Sequence, residues 1–228
     1  MLQINVVTLF PQFFEQHLIN LPLRKAVEKS LLGAKLWNLR DYALDSYGTV
    51  DNKPYGGGVG MLLMMEPIYN ALSDIHGPDF ERRAVKDTGR IVVLSPSGKK
   101  YNQAMARKFA QESKITLICG RYEGIDARVE QNLATDVVSI GDYVLSGGEL
   151  PALVIMESVT RLLEGVLEKT EASIGESFTD NFIEYPQYTR PEDFKGYKVP
   201  DVLLSGNHKE IEKWKKMQQK PTDSETTH

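Results

Sequence analysis

The chain has 228 residues, 41% of them hydrophobic, enough to bury one large core or a large and a small one. A net charge of −4 argues against indiscriminate nucleic-acid binding and leaves room for a local basic patch. The single cysteine, Cys119, rules out a disulfide framework and fits a reducing cytoplasm. No apolar run approaches the length of a membrane span.

Residues 2–9 have no basic leader ahead of them and read as a first strand rather than a signal peptide. Residues 12–31 read as one or two helices and 35–39 as a second strand. A long polar stretch, Arg40–Gly60, follows and carries Tyr55-Gly56-Gly57-Gly58-Val59-Gly60. A loop of that length inside a domain is usually functional or disordered. Glu66–Ile75 reads as a helix and 76–89 as a solvated connection.

Three strand–loop units come next. Ile91–Leu94 ends in Ser95-Pro96-Ser97-Gly98, and Ile115–Cys119 ends in Gly120-Arg121-Tyr122-Glu123-Gly124. Asp136–Ile140 breaks at Gly141, with Gly147 and Gly148 close behind. Tyr101, Met105 and Phe109 repeat at helical spacing between the first two strands, as Ile125, Val129 and Leu133 do between the last two. Repetition of this unit predicts parallel strands with crossover helices, and loops gathered at the carboxyl edge of the sheet, where open α/β folds bind ligands. Pro151 opens a strongly apolar helix over Leu150–Leu163.

Composition changes after Gly165. Residues 168–179 are small, polar and acidic and read as a linker. Beyond them Lys195–Lys220 is basic, with Asn207 and Glu210 spaced as a capping pair and Ile211, Trp214 and Met217 as a narrow apolar stripe. Lys209, Lys213, Lys216 and Lys220 occupy the rest of that helix. The expected organisation is a ligand-binding domain over 1–165, a flexible linker over 166–179 and a small helical domain over 180–228 with a disordered tail.

Several familiar chemistries lack their motifs. Met61 stands where a dinucleotide-binding fingerprint needs its last glycine, and Ser97-Gly98-Lys99-Lys100 lacks the upstream glycine of a phosphate-binding loop. His17, His76, His208 and His228 are scattered, with no zinc-ligand spacing. No nucleophile elbow is present. Cys119, at the end of an apolar strand, reads as buried and inert.

Five blocks occur in one order: Pro54–Met61, Leu94–Gly98, Cys119–Asp126, Ser139–Pro151 and Tyr188-Thr189-Arg190-Pro191. Together they closely resemble the bacterial tRNA (guanine-37-N1)-methyltransferases of the SPOUT class, from residue 1 to about 217. The resemblance implies an α/β parallel-sheet domain with a deep trefoil knot, a small helical C-terminal domain, and a cytoplasmic homodimer with its active site at the interface. It implies S-adenosylmethionine as cofactor, bound by Leu94, Ser95, Pro96, Gly120, Tyr122, Glu123, Ser139, Ile140, Gly141, Asp142, Tyr143, Val144, Leu145, Gly147 and Gly148. Mg2+ stands as a candidate accompanying ion, with no ligands assigned.

Methylation at guanine N1 requires removal of the N1 proton and stabilisation of charge at O6. The resemblance gives the second role to Arg161 and the first to an aspartate of the linker, where this chain has Glu176-Ser177-Phe178. Glu176 is therefore the expected base despite its extra methylene, with Asp180 as the fallback. The anticodon stem-loop of tRNA is expected against the basic C-terminal helix, although this chain ends in a neutral-to-acidic tail where family members continue in basic sequence. Two alternatives remain: methylation of a ribose 2′-hydroxyl, which needs no N1 base, and an RNA-binding module that does not use its cofactor loops.

Overall fold

The computed structural model describes residues 1–20, 22–83, 85–167, 177–178 and 182–221, in two compact units, Met1–Leu167 and Glu168–His228. Glu176, Asp180 and most of the expected linker lie outside the described residues.

The first unit is built on a five-stranded sheet: β1 (Leu2–Thr8), β2 (Leu32–Asn38), β5 (Arg90–Lys100), β6 (Lys114–Cys119) and β7 (Asp136–Ser139), in the order β2-β1-β6-β5-β7. All four pairings are parallel. Two short strands, β3 (Asp51–Asn52) and β4 (Leu62–Leu63), pair antiparallel across the neck of the glycine-rich loop.

Helices cover both faces. Leu2, Ile4 and Val6 point to one core with Val92, Ile115 and Leu117, under α1 (Gln12–Leu18), α2 (Leu23–Glu28), α5 (Gln103–Ala110) and α7 (Glu149–Thr160). Val7, Val93 and Ile118 point to the other, under α3 (Met65–His76) and α6 (Ala127–Asn132). The strand period of two thus feeds two apolar layers, as a doubly covered parallel sheet requires. Arg90 opens β5 and bridges Glu112 at 2.7 Å and Asp136 at 2.9 Å, tying two strand starts together at the amino edge.

Three expectations are corrected. The second strand begins at Leu32, not 35, because its backbone pairs with β1 from Leu2 onward whatever its side chains. Ser95–Gly98 is not a free loop: β5 runs on to Lys100, breaks register after Leu94, and pairs again with Val138 and Ser139. The segment 76–89 is more than a solvated connection. It holds a 3₁₀ turn at Phe80–Arg82 and a short helix, α4 (Val85–Thr88), and Phe80 is buried against His76 and Tyr69.

In the second unit β8 (Phe182–Ile183) pairs with β11 (Lys220–Pro221), and β9 (Asp193–Phe194) with β10 (Tyr197–Lys198). Two helices, α8 (Asp201–Leu204) and α9 (His208–Gln218), lie between them in sequence. Asn207 caps α9, its Oδ1 accepting from the Glu210 amide. Trp214 meets Tyr185 and Tyr188, with Lys215 over the Tyr185 ring. Met217 is 72% exposed, so the stripe read from sequence is a two-residue one.

Candidate functional site

β5, β6 and β7 run the same way, and the register break of β5 after Leu94 meets the loops that leave β6 and β7 at one edge. Two glycines make that meeting close. A Cβ at Gly148 would lie 2.7 Å from the Cys119 Cα, and one at Gly98 would collide with the backbone of Val137 and Val138. The Gly148 amide donates to the Gly120 carbonyl at 2.9 Å, locking the third loop on the second.

Between them opens a cleft with about 870 Å3 of free space including its mouth. Leu94, Ser95 and Pro96 form one wall, Gly120, Tyr122 and Glu123 another, and Ser139, Ile140, Gly141, Tyr143, Val144, Leu145, Gly147 and Gly148 the third. Asp142 stands outside the lining and binds the Lys100 ammonium at 2.6 Å in solvent. Arg121, Gly124, Ile125, Glu130, Val138, Ser146 and Pro151 also line the cleft and were not singled out from sequence. Arg121 and Ser146 sit inside the very blocks that were, so their position was the available signal.

The walls combine backbone hydrogen-bonding groups with flat apolar surface, which suits a ligand with a heteroaromatic ring and a flexible polar arm. The Ser139 hydroxyl donates to the Gly141 carbonyl at 3.0 Å and holds the start of the third loop. Tyr143 folds back over Gly141, its hydroxyl donating to the Ile140 carbonyl at 3.3 Å. Tyr122 has a φ of 60°, in the left-handed region. Such a conformation costs on the order of 1–3 kcal/mol and persists where neighbours over-determine it. Those neighbours are the Gly124 amide on the Arg121 carbonyl and the Glu123 amide on the Met61 carbonyl. The latter bond also joins the cleft to the glycine-rich segment after Pro54.

Cys119 ends β6 just behind the cleft and is 1% exposed. Burial pushes its thiol well above the usual range, the nearby Glu149 carboxylate adding to the effect, so it is no nucleophile. Arg161 closes α7, its amide donating to the Glu157 carbonyl at 3.1 Å. Among the described residues no group of three or more His, Cys, Asp or Glu side chains could hold a metal ion, and no helix is long and apolar enough to cross a membrane.

Comparison with known proteins puts a family to this geometry. A family model described as tRNA (Guanine-1)-methyltransferase TrmD matches residues 2–227. A tRNA (guanine-N(1)-)-methyltransferase of Clostridioides difficile (strain 630) is 44% identical over 215 residues, covering 94% of this chain and 91% of that protein. Proteins of the same name from Geobacillus kaustophilus (strain HTA426) and Lactiplantibacillus plantarum (strain ATCC BAA-793 / NCIMB 8826 / WCFS1) are 47% and 46% identical. Each alignment covers 94% of this chain, and 85% and 84% of the respective protein. A match over nearly the whole length, glycine loops included, leaves one assignment: the chain belongs to the tRNA (guanine-1)-methyltransferase family.

Proposed function

We infer that the protein is an S-adenosylmethionine-dependent methyltransferase that methylates N1 of guanine in tRNA, at position 37 beside the anticodon. Family membership carries the activity. The observation that supports the cofactor's location is the cleft at the sheet's carboxyl edge, with fourteen of the fifteen expected positions in its lining. The residues suit the group: Gly98 and Gly148 let backbone approach backbone where a Cβ would collide, leaving amides and carbonyls near the cleft for an adenine edge. Pro96, Tyr143 and Leu145 supply flat walls.

When bound, the cofactor supplies an electrophilic methyl group. The chain's own part is to orient the guanine and manage one proton. Glu176 takes the N1 proton, and Arg161 offsets the charge that then develops at O6. The base must leave its stack to be reached, and the lysines of α9 hold the anticodon stem-loop through its phosphates. The same reading includes a trefoil knot formed by the segments 95–98, 120–124 and 141–148, a homodimer with a composite site, a linker over 166–179 before a tRNA-binding domain over 180–228, and a cytoplasmic location. The described residues give no support to a Mg2+ site.

Tritiated methyl transfer to a tRNA transcript, followed by nucleoside analysis, tests this directly. The expected product is 1-methylguanosine at position 37 only. A 2′-O-methylated ribose, or no transfer with intact cofactor binding, would overturn the reading.

A further inference from the structure

Glu149 opens α7 and is 2% exposed, yet it takes no part in the chemistry described above and does not line the cleft. One carboxylate oxygen accepts from the Thr8 hydroxyl at 2.9 Å and the other from Arg121 Nε at 3.1 Å. Thr8 ends β1, while Arg121 is part of the cleft wall, its guanidinium 4.5 Å from the centre of the Phe10 ring. Arg121 also pairs through its backbone with Gly147 in an isolated antiparallel bridge. A Cβ at Gly147 would collide with the Arg121 side chain and the Glu149 carboxylate. The next residue after Arg121 is the left-handed Tyr122.

Burying a carboxylate is costly unless both oxygens are satisfied, and a buried ion pair often contributes no more stability than apolar residues of the same volume. Stability alone therefore does not account for an ion pair with a hydroxyl partner at this spot. Geometry does, because a guanidinium held from two sides fixes the strained wall it belongs to.

We propose that Glu149 is a positioning residue: through Arg121 it locks the 120–124 loop to the 141–148 loop and so sets the shape of the cofactor-binding wall. The proposal rests on the reading that this cleft binds S-adenosylmethionine. Glu149→Gln keeps the side chain's shape but offers Arg121 an amide instead of a carboxylate. Arg121→Lys keeps the charge but loses the guanidinium plane over Phe10. Thr8→Val removes the hydrogen bond to Glu149 and the one the Thr8 hydroxyl accepts from the Phe10 amide, and keeps the Arg121–Glu149 pair.

The experiment titrates the full-length protein with S-adenosylhomocysteine by calorimetry and follows amide hydrogen exchange at 120–124. Glu149→Gln and Arg121→Lys should each raise Kd at least tenfold, and the double variant should be no more than threefold worse than the poorer single. Thr8→Val should change Kd less than threefold. Exchange at 120–124 should quicken in Glu149→Gln while β1 and β6 stay protected, a pattern that a general loss of stability does not produce. An unchanged Kd in folded Glu149→Gln, or fully additive effects, would overturn the proposal. Should Glu149→Gln not fold, Arg121→Lys carries the same test. If the wild type fails to bind, the cofactor reading falls, and exchange at 120–124 decides the clamp by itself, unchanged protection refuting it.

Discussion

His76 has a charge state that constrains the fold. It ends α3, is 7% exposed, and shares a hydrogen bond of 2.9 Å with the Thr116 hydroxyl. Burial, helped by the positive charge of Lys114, lowers its pKa to about 4. Below the unfolded value near 6.5 the unfolded chain takes up a proton that the folded chain refuses, so stability should fall as pH drops from about 6.5 to about 4. The loss should reach roughly 3 kcal/mol at the lower end. Urea unfolding at a series of pH values should show His76→Gln losing this component, its curve running flatter than wild type across that window. Parallel curves would place the titration elsewhere. The base is a second matter at this scale. Glu176→Gln keeps size and hydrogen bonding but removes basicity, so methyl transfer should fall about 10²–10⁴-fold with cofactor affinity unchanged. Retained activity, with Asp180→Asn inactive, would move the base to Asp180.

Among the elements, those with several concordant signals were legible. The runs Ile91–Leu94, Ile115–Cys119 and Asp136–Ile140 are rich in β-branched and aliphatic residues and end near a glycine, and each lies in a strand except Ile140, which follows β7. What escaped were features set by partners distant in sequence. Pro96 and Gly98 read as loop residues, but the backbone of β7 comes back to pair with Lys99 and Lys100. Phe80 stands between charged residues in a polar stretch, with no period to betray its burial. The Arg121–Glu149 pair spans 28 positions, beyond any local pattern. As for the cleft, the two loops after β6 and β7 at one edge followed from the repeated unit, whereas the expectation of which side chains face a ligand came from family resemblance. The close approaches at that edge give an element-scale prediction: Gly148→Ala forces a methyl against the Cys119 backbone and should cost about 1–3 kcal/mol, measured by thermal unfolding, and weaken cofactor binding. A variant as stable as wild type would mean that the loops can part without cost. Arg90→Ala leaves two carboxylates without their shared cation, and with Arg90 only 14% exposed it should cost about 2 kcal/mol or more by the same measurement.

At the scale of the molecule, α7 leaves Leu150 and Val154 about half exposed one turn apart, and the third loop leaves Val144 exposed. A dimer that covers this stripe should show twice the chain mass by light scattering at micromolar concentration. A monomer with full activity would refute a composite site. Binding of tRNA should weaken steeply with salt as phosphate contacts release counterions, and each of Lys209, Lys213 and Lys216 changed to Gln should reduce the slope of log K against log salt by about 1 if it contacts a phosphate.

The strand order has a consequence for how the chain is made. Ile4 in β1 pairs with Ile115 in β6, and nothing nearer in sequence supplies that side of the strand. At about 5–20 residues per second a ribosome needs roughly 6–20 s to deliver that partner. Throughout this interval Leu2, Ile4, Val6 and Val7 are covered on one flank at most, an apolar edge of the kind that recruits other chains. Pairings this distant also slow folding itself, because loop closure must precede any reward from contact. The nascent β1 therefore carries an open apolar flank well before the protein has a cleft to fill.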